Sequence, residues 1–237
     1  MIKNVPAILL NKTIILSFIL FFAFVKTSNA QYRFGLFGGL NISSHTGKDF
    51  TTTDFPKTGM TAGFFYEREI DKTLSWVIAP SFEQKGAKYT FEPRFDTRVE
   101  VNNDLDYFTL PLLLKANFSK RPNYNRKASF GRQMNYYVTG GISLSYLISH
   151  PNEVHTFEND VEIDSGPFFP YSYNNVDASI SIGGGVMWRE IFIDLKYIHG
   201  IRNLYSGKNV PVIRNHIISL TLAYSLYHKK NVPCRKR

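Results

Sequence analysis

Apolar and polar residues alternate one by one through eight segments of this chain, and a period of two restricts those segments to β-strands with one apolar face. From Tyr32 the row Tyr32, Phe34, Leu36, Gly38, Leu40 and Ile42 lies on one side, against Arg33, Gly35, Phe37, Gly39, Asn41 and Ser43 on the other. The segments are 32–43, 58–70, 74–89, 105–118, 135–148, 177–189, 191–201 and 215–227. Beyond residue 30 no run approaches the roughly 18 apolar residues that a membrane-crossing helix needs. With 43% apolar and 15% aromatic residues the chain has enough apolar surface to offset ordering entropy, which excludes a disordered protein. A single cysteine excludes a disulfide framework.

Alternation fits both a soluble sandwich and a membrane barrel, because either has one apolar and one polar face. Mid-strand charges such as Asp194 and Lys196, set against Ile193, Leu195 and Tyr197, would face water outside a sandwich or the lumen of a barrel. Three features select the barrel. The first is the leader: Lys3 and Lys12 precede the apolar run 14–25, and Ser28, Asn29 and Ala30 form a small-residue cleavage site. That run is too short to span a bilayer as a helix. The only cysteine is Cys234, so the expected mature start, Gln31, carries no lipid. The second is the even strand count. The third is a row of outward aromatics, Tyr32, Phe34, Tyr66, Trp76, Phe118, Tyr136, Trp188 and Tyr224, at one level near the end where the chain starts. Their apolar bodies and polar tips suit the headgroup zone.

The expected fold is therefore all-β: an eight-stranded antiparallel up-and-down transmembrane barrel, closed by pairing the first strand with the last. The expected divisions are a cleaved signal peptide over 1–30, the barrel over 31–227 and a basic tail over 228–237. Connections at 71–73 and 189–190 are tight, whereas 44–57, 92–104, 149–176 and 202–214 are long. Short periplasmic turns and long outer loops are the outer-membrane pattern, so the expected location is the outer membrane of a Gram-negative cell. The connection 119–134 departs from this, being long on the short side.

Several stretches in order, Phe34-Gly35-Leu36-Phe37-Gly38-Gly39-Leu40-Asn41, Thr58-Gly59, Ala62-Gly63, Phe82-Glu83-Gln84-Lys85-Gly86 and Tyr107-Phe108-Thr109-Leu110-Pro111-Leu112-Leu113-Leu114-Lys115, carry a resemblance. The chain resembles the PorT-like outer-membrane β-barrel family of Bacteroidota-type bacteria across 31–227. That resemblance implies the barrel fold, the outer membrane and an accessory role of the kind the family's namesake has in protein secretion. It implies no catalytic or cofactor-binding residues.

Arg33, Lys85, Lys115 and Lys196 share the inward face with Glu67, Glu69, Glu83 and Asp194, four cations against four acids. An eight-stranded barrel is filled by its own side chains, so an internal salt-bridge lattice is expected rather than an ion path. Gly183, Gly184 and Gly185 precede no helix, which removes a phosphate cradle; inward glycines ease curvature instead. The connection 149–176 has five acids and no Lys or Arg. Asp160, Glu162 and Asp164 would lie on one side of an extended chain, where a hard cation finds oxygen ligands, but a solvated acidic hairpin is the expectation. His199 and His216 could meet on adjacent strands, and with Asp194 they form the one trio resembling catalytic machinery.

The formal charge of +9 falls to +6 when three leader lysines leave with no acid. Lys120, Arg121, Arg126, Lys127 and Arg132, with the tail 228–237, concentrate cations on the expected periplasmic face. Their expected contacts are anionic headgroups or an acidic envelope protein. An exported chain has no access to nucleic acid. The resulting expectation is a non-enzymatic, monomeric envelope barrel without cofactor or metal, acting as a scaffold or secretion accessory. The alternatives are a ligand- or cation-binding barrel using 149–176, and an enzyme at the barrel rim.

Overall fold

A computed structural model describes residues 31–47, 53–71, 73–94, 97–118, 134–158, 161–167, 172–207 and 210–229. The leader 1–30, the basic residues Lys120, Arg121, Arg126, Lys127 and Arg132, the carboxylate Asp160 and the tail beyond residue 229 lie outside them.

Thirteen strand segments follow in order: β1 (Tyr32–Gly47), β2 (Thr53–Glu69), β3 (Leu74–Ile78), β4 (Ser81–Arg94), β5 (Thr97–Asn117), β6 (Met134–Ser149), β7 (Asn152–Glu158), β8 (Val161–Pro167), β9 (Ser172–Tyr173), β10 (Val176–Trp188), β11 (Ile191–Gly200), β12 (Tyr205–Ser206) and β13 (Ile213–Lys229). Antiparallel pairing runs from β1 through β2, β3 with β4, β5, β6, β10, β11 and β13, and β13 returns to β1 from Tyr32↔Lys229 to Gly47↔Ile213. That is a closed ring of eight strand positions. Closure satisfies the backbone N–H and C=O groups that an open edge would leave unpaired.

The third position is split because Pro80 has no N–H to give the ladder. Ile78↔Leu112 and Ser81↔Thr109 keep one register across the gap, so the strand is interrupted without a slip. Tight turns close one end. At the β2–β3 turn the Asp71 carboxylate accepts from the Thr73 amide at 2.7 Å, the Thr73 hydroxyl at 2.9 Å and the Leu74 amide at 2.8 Å. At the β10–β11 turn Arg189 takes a left-handed φ of 56°.

The opposite end is more sheet than loop. The expected connection 92–104 is instead a continuation of β4 and β5, because Val99 and Val101 carry the alternation on and Tyr89 pairs with Val101. Ala87, Tyr89 and Val101 are buried there, with Val99 and Val154 packed against them. The connection 149–176 contains the β7–β8 hairpin, and β7 pairs with β5 beyond the point where β6 ends. β4, β5, β7 and β8 thus project as a sheet from the long-loop end.

Side chains obey the two-residue period. On β13, Ser219, Thr221, Ala223 and Ser225 are buried, whereas Ile218, Leu220, Leu222 and Tyr224 are exposed on the outer wall. β13 carries one extra residue, Leu226, opposite the Phe34–Gly35 step of β1, a bulge that lets Tyr227 oppose Phe34 while Ser225 opposes Gly35. Leu226 and Tyr227 are consequently both exposed, where unbroken alternation would turn Tyr227 inward.

Candidate functional site

Everything a barrel of this size can do resides in its lumen, its outer wall and its two ends. The lumen is filled in three layers. Near the tight-turn end Phe65, Ala79, Tyr137, Met187, Phe192 and Ala223 form an apolar cluster. At the long-loop end Leu105, Tyr107, Leu147 and Ile213 pack with Leu204 and Tyr205 from the β11–β13 connection, and Tyr173 and Val210 join them. That connection folds back as a plug. β9 and β12 pair through Tyr205↔Tyr173, and Asn174 donates to the carbonyls of Asn203 at 2.8 Å and Tyr205 at 3.0 Å. Apolar Tyr173, Leu204 and Tyr205 in otherwise polar loops were the available signal for this plug, which alternation within strands does not reveal.

Between the apolar layers lies a belt of buried polar residues that includes Asn41, Thr61, Glu83, Lys85, Thr109, Ser145 and Thr221. Glu83 and Lys85 pair at 3.2 Å; Lys85 also donates to Ser145 at 3.1 Å, and Thr109 donates to Glu83 at 3.1 Å. Deeper in, Lys115 donates to Glu67 at 2.9 Å, and Arg33 stands 3.8 Å from the same carboxylate. The Lys115 ammonium is also 4.1 Å from the Tyr137 ring centre and 4.6 Å from that of Phe192.

The eight inward charges are not matched one to one. Asp194 accepts a hydrogen bond from the Tyr137 hydroxyl at 2.6 Å, and the Lys196 ammonium lies 5.8 Å from the Phe37 ring centre. Arg33 reaches Met187 at 2.9 Å and the Phe192 ring at 5.9 Å. Glu69 is at the tight-turn end, paired across the strands with Ser75. Aromatic faces stabilise buried cations through the ring quadrupole, so Tyr137, Phe192, Phe37 and Tyr107 belong to the network although they bear no charge. A count of acids and bases overlooks them. A cavity of about 50 Å³ among Glu67, Lys115, Tyr137, Asp194, Lys196 and Thr221 has room for a few waters.

Gly183 and Gly185 face this interior; Gly184 does not. A Cβ on Gly185 would stand 2.5 Å from the Tyr137 hydroxyl, so that position must be bare for Tyr137 to reach Asp194.

At the long-loop end His45 is hydrogen-bonded to Tyr89, and Asn215 donates to Asp177 at 3.0 Å, both inside the barrel. His199 and His216 do come together, paired across β11 and β13 with ring centres 4.5 Å apart. Asp194 is not with them. It lies on the lumen side, whereas His199 and His216 share the outer wall with Tyr197, whose hydroxyl is 2.7 Å from His216 Nδ1. The expected trio is thus divided between opposite faces of the sheet, because odd and even positions of β11 point apart and His216 of β13 sides with His199. On the β7–β8 hairpin Glu162 is 2.8 Å from His155, and Asp164 is exposed. Among the described residues no three His, Cys, Asp or Glu side chains gather as a metal would require.

The outer wall completes the picture. From the tight-turn end, Tyr227, Tyr32, Tyr66 and Trp76 form a continuous aromatic arc across β13, β1, β2 and β3, with centre distances of 5.7, 6.1 and 5.3 Å. Beyond it the wall is mostly Leu, Ile, Val and Phe, with Met60, Tyr146 and Tyr197 among them, exposed to the surroundings. A closed antiparallel ring with a filled lumen that holds a buried polar belt, an apolar exterior and an aromatic girdle is an outer-membrane β-barrel. Residues 27–206 match the family described as the outer membrane protein beta-barrel domain, and the chain belongs to that family. It is an outer-membrane protein. The PorT-like group within such barrels is a finer assignment than this match makes. No curated relative matches the chain.

Among solved structures it is similar to Ail, the attachment invasion locus protein of Yersinia pestis, with 12% identity over 83% of this chain and 99% of that one and a TM-score of 0.36. Neisserial surface protein A is similar with 10% identity over 81% and 97% of the two chains and a TM-score of 0.40. OprG from Pseudomonas aeruginosa has 11% identity over 84% and 95%, with a TM-score of 0.38.

Proposed function

We propose that this protein is a non-enzymatic envelope barrel, a membrane-anchored scaffold or accessory of protein secretion, working through what projects from its two ends. The observation that carries the reading is the filled lumen. Charged and aromatic side chains occupy its depth, and Tyr173, Leu204 and Tyr205 pack across its outer end, an arrangement that favours anchoring over transport. The projecting sheet of β4, β5, β7 and β8 is the surface a partner would meet from outside. The basic residues of 119–134 and the tail are the surface an acidic periplasmic protein or anionic headgroups would meet from within. The secretion role rests on the PorT-like stretches at 34–41 and 107–115.

Replacing 152–167 by a short turn, followed by crosslinking in intact envelopes, tests the proposal. The shortened protein is expected to keep heat-modifiable gel mobility and to lose the crosslinks that the wild type forms at its outer end. Unchanged crosslinks, or steady ion conductance by the wild type in a planar bilayer, would overturn it.

A further inference from the structure

We infer that the outer wall of β1, β11 and β13 holds a phosphate group of the outer-leaflet lipid, bound by Arg214, His216 and His199. β13 presents an apolar row on the outer wall. It runs from Leu226 to Ile218, nine residues, close to the roughly 9–11 that a tilted strand uses to cross the membrane. The next two outward positions are His216 and Arg214. On β11 the row Ile193, Leu195 and Tyr197 ends in the same way at His199.

Register makes these ends one patch. His199 pairs with His216, Tyr197 with Ile218, Ser44 with His216 and Thr46 with Arg214. The two imidazoles stand edge to face at 4.5 Å, and the Tyr197 hydroxyl lies 2.7 Å from His216 Nδ1, which orients that ring. No carboxylate on these strands offsets them. β1, β11 and β13 contain one acid in all, Asp194, and it points into the lumen. On neighbouring β10, Asp177 is likewise turned inward, to Asn215.

A cation on the lipid-facing wall is costly at the midplane and close to free at the interface. These groups stand at the interface, at the end opposite the Tyr227–Tyr32–Tyr66–Trp76 girdle. Their neighbours there are the headgroups of the outer leaflet. A guanidinium and two imidazole N–H donors on an acid-free wall complement a phosphate, the anionic group that lipid presents at this level.

The test uses the purified, folded mature barrel in detergent and reads bound lipid by native mass spectrometry. The probes are bis-phosphorylated lipid A and the same lipid stripped of its phosphates. The wild type is expected to retain the phosphorylated form at least about fivefold better. The triple variant Arg214→Gln, His199→Gln, His216→Gln should lose that preference while keeping heat-modifiable mobility. Arg214→Gln alone, at the edge of the wall, serves if the triple variant does not fold, and should lose most of it. Equal retention of the two lipids by the wild type, or an unchanged preference in a folded variant, overturns the assignment. Displacement of lipid by millimolar inorganic phosphate would also overturn it, by making this a free-anion site.

Discussion

Glu67 is shared by two cations in the lumen, since Lys115 at 2.9 Å and Arg33 at 3.8 Å both approach its carboxylate. Removing one partner of a buried pair costs about 3–5 kcal/mol, because the survivor remains desolvated without compensation. The two removals are not equivalent. Lys115→Met leaves Glu67 with Arg33, whereas Glu67→Leu leaves two cations without the carboxylate they share, Arg33 with Met187 and Lys115 with the Tyr137 and Phe192 rings and the Asp194 carboxylate across the cavity. We expect Glu67→Leu to lower the urea midpoint of the barrel in vesicles more than Lys115→Met, and the double variant to recover most of the loss. Equal single losses that simply add would refute the coupling. Asp71 provides a residue-scale test outside the membrane. Backbone hydrogen bonds from Thr73 and Leu74, with the Thr73 hydroxyl, hold its carboxyl below the ordinary range. A lowered value means that the turn's stabilisation is present at neutral pH and is lost as pH falls through that value, below about pH 4. Amide exchange at Thr73 and Leu74 should accelerate only there, after allowance for the intrinsic pH dependence of exchange. A carboxyl that titrates like a free aspartate would contradict the geometry.

Strands show how physical regularity is read and where it stops. β13 was legible because seven alternating positions, from Ile213 to Ser225, fill the lumen and the intervening ones form the wall. Leu222 is 59% exposed and its neighbour Thr221 only 2%, so adjacent arginines would enter opposite media. Leu222→Arg should cost about 2–4 kcal/mol near the midplane and reduce the heat-modifiable fraction. Thr221→Arg should do less, because Thr221 borders the lumenal cavity and is paired across the strands with Asp194, which can meet the new guanidinium. Equal losses would mean that the register is shifted by one. The bulge beside Phe34 was not legible, since nothing in Ser225-Leu226-Tyr227 departs from alternation until the partner strand is known. The extension of β4 and β5 was partly legible in Val99 and Val101, but charged neighbours at 98 and 100 made it look like a loop. The His199–His216 contact followed from strand order; the exclusion of Asp194 followed from parity, which sequence proximity hides.

At the scale of the molecule, the barrel closes without help from the long connection at its tight-turn end. Asn117 pairs with Tyr137, and the Phe118 amide donates to the Tyr136 carbonyl at 3.0 Å, so the ends of β5 and β6 already lie side by side where a turn could join them. A strand reversal there needs two to five residues, as at Arg189-Glu190, and the connection is several times longer. Extra loop length costs only about 0.6 kcal/mol per doubling in closure entropy, so the barrel neither needs the segment nor suffers much from it. What the segment adds is charge: Lys120, Arg121, Arg126, Lys127 and Arg132 with no acid among them. Replacing 119–133 by a three-residue turn should therefore leave heat-modifiable mobility intact and, if anything, slightly raise the urea midpoint. It should also abolish any periplasmic crosslinks that the wild type forms, since the sign of the segment selects acidic partners or headgroups. A shortened protein that no longer folds would make the segment part of the barrel. Crosslinks that persist would move the binding surface to the other basic stretch, the tail beyond residue 229.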